Sequence, residues 1–235
     1  MSVGFRAFLD IERPAPELIE AYREIPSSNI GDVVLRMNCM FGGIKAYNKR
    51  PLVGPAFTVK VPAGDNLVAQ TALDYAQPGD VIVIDGAGYE DRALVGGMML
   101  AYAEERQLGG FVVNGAVRDL DDIKKSPLPV FAIAATPLGP YREGPGEINV
   151  PVVCGGQVVM PGDILVGDTD GIVVIPKNDA EALLDACRAN VAMEQNEMDQ
   201  MKAGTYEPEK HVKIFTNAFL KRGGEFISSK GTPSR

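Results

Sequence analysis

Residues 77–122 constrain the fold more than any other part of the chain. "QPGDVIVIDGAG" reads as a Pro-Gly turn feeding a buried strand that stops at a glycine-rich loop; "DRALVGGMMLAYAEERQ" follows as a long helix, and "GGFVVNG" as a second strand. Strand, helix and strand in that order predict parallel strands joined by a crossover helix. Upstream, "APELIEAYREI" (15–25) has apolar residues at helical spacing, and "SSNIGDVV" brings capping residues to a second short helix. "LVGPAFTVKV" (52–61) is β-rich, with Pro55 pointing to an edge or a bulge. Asp65 and Asn66 are expected to cap a helix over "NLVAQTALDYA".

Past residue 126 the texture changes. "PLPVFAIAATPLGP" and "VPVVCGGQVVMPGDILVGDTDGIVVIP" alternate short β runs with Gly, Pro and Asp turns and leave no room for helices. A last helical region starts at Asn178 as N-cap, runs through "DAEALLDACRANVAMEQNEMDQMKAG" and resumes in "KHVKIFTNAFLKR". "PGDVIVID" (78–85) is echoed by "PGDILVGD" (161–168), a likeness that turn chemistry alone can produce. No linker-like stretch separates the halves, which favours a single α/β domain with a mixed or layered sheet.

Composition excludes several classes. Hydrophobic residues make up 46% and charged residues 23%, proportions of an ordinary globular chain. The net charge is −8 and no basic run exceeds Lys124-Lys125, so no footprint for a phosphate backbone exists and nucleic acid is not expected as a ligand. The longest apolar runs fall far short of the roughly 20 residues that span a membrane. Charges at Arg6, Asp10, Glu12, Arg13, Glu17 and Glu20 exclude a signal-peptide core, and a cytoplasmic location is expected. Cys39, Cys154 and Cys187 form no C-x-x-C pair and read as core residues. His211 is the single histidine and lies in a polar tail, so a Ser-His-Asp triad or a multi-histidine metal site is not available. Any chemistry would fall to carboxylates, arginine, backbone amides and a hard metal.

Two stretches could carry such chemistry. In "GGFVVNGAVRDLDD" the strand ends by placing Arg118 beside Asp119, where α/β folds collect ligands. Arg118 could offer a planar fork to a carboxylate, and Asp119 could hold a divalent cation. Alternatively, Asp119 complements a helix dipole and Arg118 is a surface residue. In "VGGMML", Gly96 and Gly97 could bring the amides of Met98 and Met99 to an anion; a Gly-Gly pair in a helix costs roughly 2 kcal/mol relative to Ala-Ala. Close packing on the sheet, with Met98, Met99 and Leu100 in the core, would account for the same residues.

Taken in order, "PAGDNL", "QPGDVIVIDGAG", "RALVGGMMLAYA", "GGFVVNGAVRD", "PVFA", "GPGEINVPVVCGG" and "PGDILVGDTDGIVVIP" resemble the RraA-like family, which includes class II 4-hydroxy-4-methyl-2-oxoglutarate/4-carboxy-4-hydroxy-2-oxoadipate aldolases. The resemblance covers a core at about 28–176; with the chain read as one domain over 1–235, a helical C-terminal extension follows at about 178–235. It implies an α/β fold layered αββα, like a swivelling phosphohistidine domain, assembled as a homotrimer or hexamer. It further implies Mg²⁺ or Mn²⁺ held by Asp119, with Arg118 gripping the substrate and the turn at Gly96, Gly97, Met98 and Met99 receiving a pyruvyl carboxylate. The implied reaction is retro-aldol cleavage of a 2-oxo acid releasing pyruvate, or decarboxylation of an oxaloacetate-like substrate. In one respect the chain departs from the aldolases, which carry an acidic residue twenty-one positions before the arginine, where this chain has Gly97. Asp85, Glu90, Asp91, Asp122, or Glu194 or Glu197 of a neighbouring subunit are candidates to compensate. Family members that bind and inhibit ribonuclease E without catalysis tend to lose the aspartate after the arginine, and here Asp119 is kept. A methyltransferase reading finds no G-x-G-x-x-G fingerprint, because "DGAGYEDR" lacks the third glycine.

Overall fold

The structure is a computed structural model and describes residues 3–226. It divides into two compact units, residues 1–191 and 192–235. The first unit opens with β1 (Phe5–Ala7), α1 (Pro16–Glu20), α2 (Ser27–Val33), β2 (Lys45–Ala46), β3 (Leu52–Lys60) and α3 (Leu67–Tyr75). The βαβ core follows as β4 (Val81–Val95), α4 (Gly97–Glu105), β5 (Gly110–Val117), α5 (Leu120–Lys125) and β6 (Val130–Ala135). Five short strands come next, β7 (Gly146–Ile148), β8 (Val152–Cys154), β9 (Gln157–Val159), β10 (Ile164–Gly167) and β11 (Ile172–Ile175), before the long α6 (Ala180–Ala203). The C-terminal unit holds the end of α6, α7 (Pro208–His211), a π-helical turn (Val212–Thr216) and α8 (Asn217–Lys221).

Among the described residues, nine strands form one sheet with the path β1-β7-β3-β4-β5-β6-β2, and β10 joins β3 to β11. The expected parallel pairing holds: β3, β4, β5 and β6 run parallel to one another. Alternation along the strands sends side chains to two apolar layers. Ile82, Ile84, Phe111 and Val113 meet Leu73, Leu100 and Ile123 of the helices α3, α4 and α5. Val81, Val83 and Val112 instead meet Leu165, Ile172 and Val174 of β10 and β11. The outer faces of β10 and β11, through Ile164, Val166, Val173 and Ile175, pack on Tyr22, Ile30, Ala180 and Cys187 of the remaining helical segments. Helices, sheet, second β layer and helices therefore follow one another in this mixed α/β fold.

Four local expectations change. The strand at 81 does not stop at the glycine loop, and the helix does not start at Asp91: β4 continues to Val95 with three slips of register against β5. The excursion returns because Leu94 folds over the backbone, its Cδ1 lying 2.3 Å from where a Cβ on Gly86 would be, so only glycine fits there. Pro55 is not on an edge; it pairs with Ile164 inside β3, at the point where β10 gives way to β4 from Ala56 onward. Asp65 does cap α3, its Oδ1 accepting from the Leu67 amide at 2.9 Å, but Asn66 makes no capping bond and turns inward. The residue capping α2 is Pro26 rather than a serine, and Ser27 instead bonds Asp168 through its amide and hydroxyl, both at 2.8 Å.

The twin Pro-Gly-Asp turns are one device used twice. Asp80 accepts the Gln77 amide at 2.8 Å, and Asp163 accepts the Met160 amide at 2.8 Å. The strands they start run in opposite senses against β3, so the echo is one of turn chemistry. Cys154 and Cys187 are buried, and burial pushes both thiols up, consistent with core roles. Among the described residues no helix is long and apolar enough to cross a membrane.

Candidate functional site

The carboxyl end of β5 and the start of α4 meet at one mouth. Arg118 leaves the strand with its amide bonded to the Val95 carbonyl at 2.9 Å, and Asp119 follows in the left-handed region at φ 60° and ψ 50°. A non-glycine residue rarely adopts that conformation, although aspartate tolerates it. Here it turns the Asp119 carboxylate back across the site, where Oδ2 accepts the Gly97 amide at 2.8 Å and lies 3.7 Å from Arg118 Nε. Both side chains remain partly exposed, at 37% and 43%.

The two glycines are required by that approach. A Cβ on Gly96 would lie 2.7 Å from Asp119 Oδ2 and 2.9 Å from Arg118 Nε, and one on Gly97 would lie 2.8 Å from Asp122 Oδ2. Gly96 is the N-cap of α4, and the helix donates the Gly97 amide to Asp119. The amides of Met98 and Met99 then have no acceptor among the described residues, as expected in the first helical turn. Such a terminus favours a negative charge. Met99 is buried at 3% exposure whereas Met98 is 85% exposed, so the core expectation holds for Met99 and Leu100 and fails for Met98. Helical geometry sends consecutive side chains to different faces, and only the first of the two faces away from the sheet.

Behind Arg118 is a cavity of about 50 Å³ lined by Asn66, Gln70, Gly96, Met99, Arg118 and Arg142. Asn66 is the residue that sequence reasoning assigned to capping. Its Nδ2 donates to the Leu94 carbonyl at 2.9 Å, and its Oδ1 is buried with no partner, the single such side-chain atom among the described residues. A buried unpaired carbonyl costs roughly 1–3 kcal/mol, and a ligand in the cavity that Asn66 lines could supply the missing hydrogen. The signal in the sequence was an asparagine in a helix-start context; its inward turn follows from Asp65 having taken the capping bond. Asp65 also accepts the Glu143 and Gly144 amides at 2.7 and 3.0 Å, which ties the Arg142 loop to α3. Arg92 holds the neighbouring wall through the Gly139 carbonyl at 2.8 Å and the Tyr141 hydroxyl at 2.9 Å.

On the other side of Gly97 a groove of about 540 Å³ is bordered by Glu104, Asp119, Asp122 and Lys125. Larger space exists near Phe8, Met160 and Lys177, about 690 Å³, but there Asp163 is committed to the Met160 and Lys177 amides. Among the described residues no three His, Cys, Asp or Glu side chains converge as a metal cluster. A magnesium-type ion needs only one or two carboxylates and retains water; Asp119 meets that requirement, because its Oδ1 has no protein partner among the described residues. Of the other carboxylates considered, Asp85 is spent on the β4 excursion through the Ala87 amide at 3.1 Å and Asn114 at 3.3 Å. Asp122 reaches Gly97, while Glu90 and Asp91 sit within the β4 excursion and Glu194 and Glu197 belong to the C-terminal unit. His211 is exposed, its ring tilted against that of Phe215 with the centroids 4.7 Å apart.

Comparison with known proteins gives these features company. A Halalkalibacterium halodurans protein provisionally named 4-hydroxy-4-methyl-2-oxoglutarate aldolase is 41% identical over 75% of this chain and 84% of its own length. A Thermus thermophilus structure described as the RNA-processing inhibitor RraA superposes with a TM-score of 0.61 at 32% identity, covering 65% of this chain and 93% of that one. A Geobacillus kaustophilus structure described as an S-adenosylmethionine:2-dimethylmenaquinone methyltransferase gives the same TM-score of 0.61 at 33% identity, over 65% of this chain. The family profile described as RraA-like (Aldolase/RraA) matches residues 19–174, which include the whole mouth from Asn66 to Arg142, and the chain belongs to that family.

Proposed function

We propose that this chain is a divalent-cation-dependent carbon–carbon lyase of the class II pyruvate aldolase type, acting on 2-oxo dicarboxylic acids in the cytoplasm as a homotrimer or hexamer. It would cleave a 4-hydroxy-2-oxo acid to pyruvate, decarboxylate oxaloacetate, or do both. The observation that carries this reading is the meeting of Arg118 and Asp119 with the N-terminus of α4, where Asp119 accepts the Gly97 amide at 2.8 Å. The succession of helices, sheet, second β layer and helices supports reading the fold as like a swivelling phosphohistidine domain.

In this mechanism the Met98 and Met99 amides receive the substrate's C1 carboxylate, and Arg118 lies over the 2-oxo group with its fork donors. Asn66 Oδ1, buried and without a protein partner, would accept from the 4-hydroxyl of a 4-hydroxy-2-oxo substrate. In the retro-aldol reaction the C3–C4 bond breaks, its electron pair passes into the C2–C3 enolate, and the 4-hydroxyl proton passes to solvent water at the open mouth as the second carbonyl forms. Arg118 stabilises the charge that develops on the C2 oxygen, and transfer of a proton from solvent water to C3 then yields pyruvate. A divalent cation held by Asp119 would supply Lewis-acid polarisation of that same oxygen. No imidazole is needed, in keeping with a chain whose single histidine lies far along the sequence in the tail.

The test is steady-state pyruvate release from 4-hydroxy-4-methyl-2-oxoglutarate and from oxaloacetate, with magnesium and with chelator. Turnover of Asp119→Ala at the parent's rate would refute the metal assignment. A second reading, non-catalytic inhibition of ribonuclease E, draws on the Thermus thermophilus likeness; retention of Asp119 favours the enzyme. Tight capture of ribonuclease E together with no lyase activity would reverse that preference. Methyl transfer is set aside because Gly86 and Gly88 lie inside β4, and the phosphate-cradling fingerprint needs a strand-to-helix turn.

A further inference from the structure

We propose that Asp122 is a positioning residue of this site: its carboxylate occupies the space left by Gly97 and takes hydrogen bonds from the water shell of a cation held at Asp119. This rests on the metal-dependent reading above. Three observations carry it. The first is the converging geometry. A single point, the place of a Cβ on Gly97, lies 2.8 Å from Asp122 Oδ2 and 3.5 Å from Asp119 Oδ2. The two carboxylates therefore face one gap, which any larger residue at 97 would fill.

The second is the charge balance. Asp121, in the same turn of α5, points outward and pairs with Lys124 at 3.4 Å. Asp122 has no ion pair among the described residues, and the nearest cation to Asp119 is Arg118 at 3.7 Å. Two like charges around one gap, with a single guanidinium to one side, favour a further positive charge there. The third is independent of the acids: Asn66, only 3% exposed and with an unpartnered Oδ1, lines a cavity with Gly96, Met98 and Arg118, and Met98 also lines the groove of Asp119 and Asp122. A ligand at Arg118 would thus have this polar cavity on one side, while Asp119 and Asp122 line the adjoining groove.

α5 supplies the precision. The Asp122 and Ile123 amides both donate to the Asp119 carbonyl, at 3.0 and 3.1 Å, and Ile123 is buried, so Asp122 is fixed relative to Asp119 by the backbone. A small hydrated ion keeps several waters when one carboxylate binds it, and those waters need acceptors. Removing an outer partner of this kind typically weakens metal binding about 10- to 100-fold.

Titration of the full-length protein with Mn²⁺, following the free-ion paramagnetic resonance signal, tests this without recourse to turnover. Asp122→Ala and Asp122→Asn are each expected to weaken binding by about 10- to 100-fold, while Asp121→Ala, with the same charge lost from the same turn, stays close to the parent. The double variant Gly97→Asp with Asp122→Ala is expected to recover most of the affinity, which a purely structural role for Asp122 would not allow. Thermal melts identify any variant that fails to fold, and Asp122→Asn, nearly isosteric, then carries the test. Parent-like Mn²⁺ affinity in folded Asp122→Asn and Asp122→Ala, with affinity lost in Asp119→Ala, would overturn the role of Asp122 and leave the metal reading standing. Parent-like affinity in Asp119→Ala would overturn both.

Discussion

Replacing Gly96 with alanine separates the geometry of the mouth from the stability of the fold. The backbone at Gly96 is extended, with φ −147° and ψ −176°, which any residue adopts. Alanine there reduces the freedom of the unfolded chain, worth about 0.4–1 kcal/mol in favour of folding. The new methyl, however, would sit 2.7 Å from Asp119 Oδ2, 2.9 Å from Arg118 Nε and 3.0 Å from Arg118 Cγ. An ordinary contact begins at 3.4 Å, so both side chains must withdraw by up to 0.7 Å. Both are partly exposed and free to do so, which stretches the bond from the Gly97 amide to Asp119. A charge-assisted bond of that kind contributes roughly 1.5–3 kcal/mol when well formed, and less at this exposure. The opposing terms leave a net loss of stability near 1 kcal/mol. Misplacing catalytic groups by a distance approaching 1 Å costs on the order of 100-fold in rate, or about 2.7 kcal/mol of barrier. The assay pairs kcat/KM for oxaloacetate with calorimetric binding of oxalate and a melting curve. A folded Gly96→Ala protein that keeps full kcat/KM and full oxalate affinity would refute the claim that chemistry occurs between these two side chains.

Three further outcomes are expected elsewhere. Asp80 is fully buried and grips Arg13 with two bonds of 2.7 Å, so Asp80→Asn, which leaves the guanidinium poorly matched, is expected to lower unfolding free energy in urea by roughly 3 kcal/mol. Glu147 is held below the usual carboxylate range, first by the Arg6 side chain at 2.6 Å and then by the Gly4 amide. Its folded pKa is therefore the lower one; the stabilisation is full above the ordinary glutamate range and is lost as pH falls through the folded value. Melting temperature measured between about pH 5 and 2 should accordingly fall less steeply for Glu147→Gln than for the parent. A thiol reagent at neutral pH is expected to modify Cys39 alone and slowly, since burial raises its thiol pKa too, while denaturant releases all three.

Much of the architecture was legible because it rests on local patterns. Parallel pairing of β4 with β5 follows from apolar runs separated by one helix length, and the Pro-Gly-Asp turns announced themselves twice. The misplaced boundary at Asp91 had a physical source: "RALV" suits a helix and a strand equally, and the choice was made by Leu94 covering Gly86, a contact between residues eight apart that no periodicity records. Pro55 misled because a proline disqualifies a strand only where its missing N–H is needed, and it falls where β3 exchanges one partner for another. At the site, Arg118, Asp119 and the glycine pair could be named from spacing and resemblance. Asn66 was read only as a cap and Asp122 only as one of several candidate carboxylates, because what distinguishes them is an empty bond and an empty volume. Both are properties of the space around a residue.

The nine residues of β3 belong to both β layers: Leu52–Pro55 pair with β10 and Ala56–Lys60 with β4. Neither layer can peel away without breaking the ladder that the other needs, so local opening within residues 1–191 has no cheap intermediate at this point. Amide hydrogens of Val53 and Val59 are therefore expected to exchange at one common, slowest rate, and the two layers to melt in a single step.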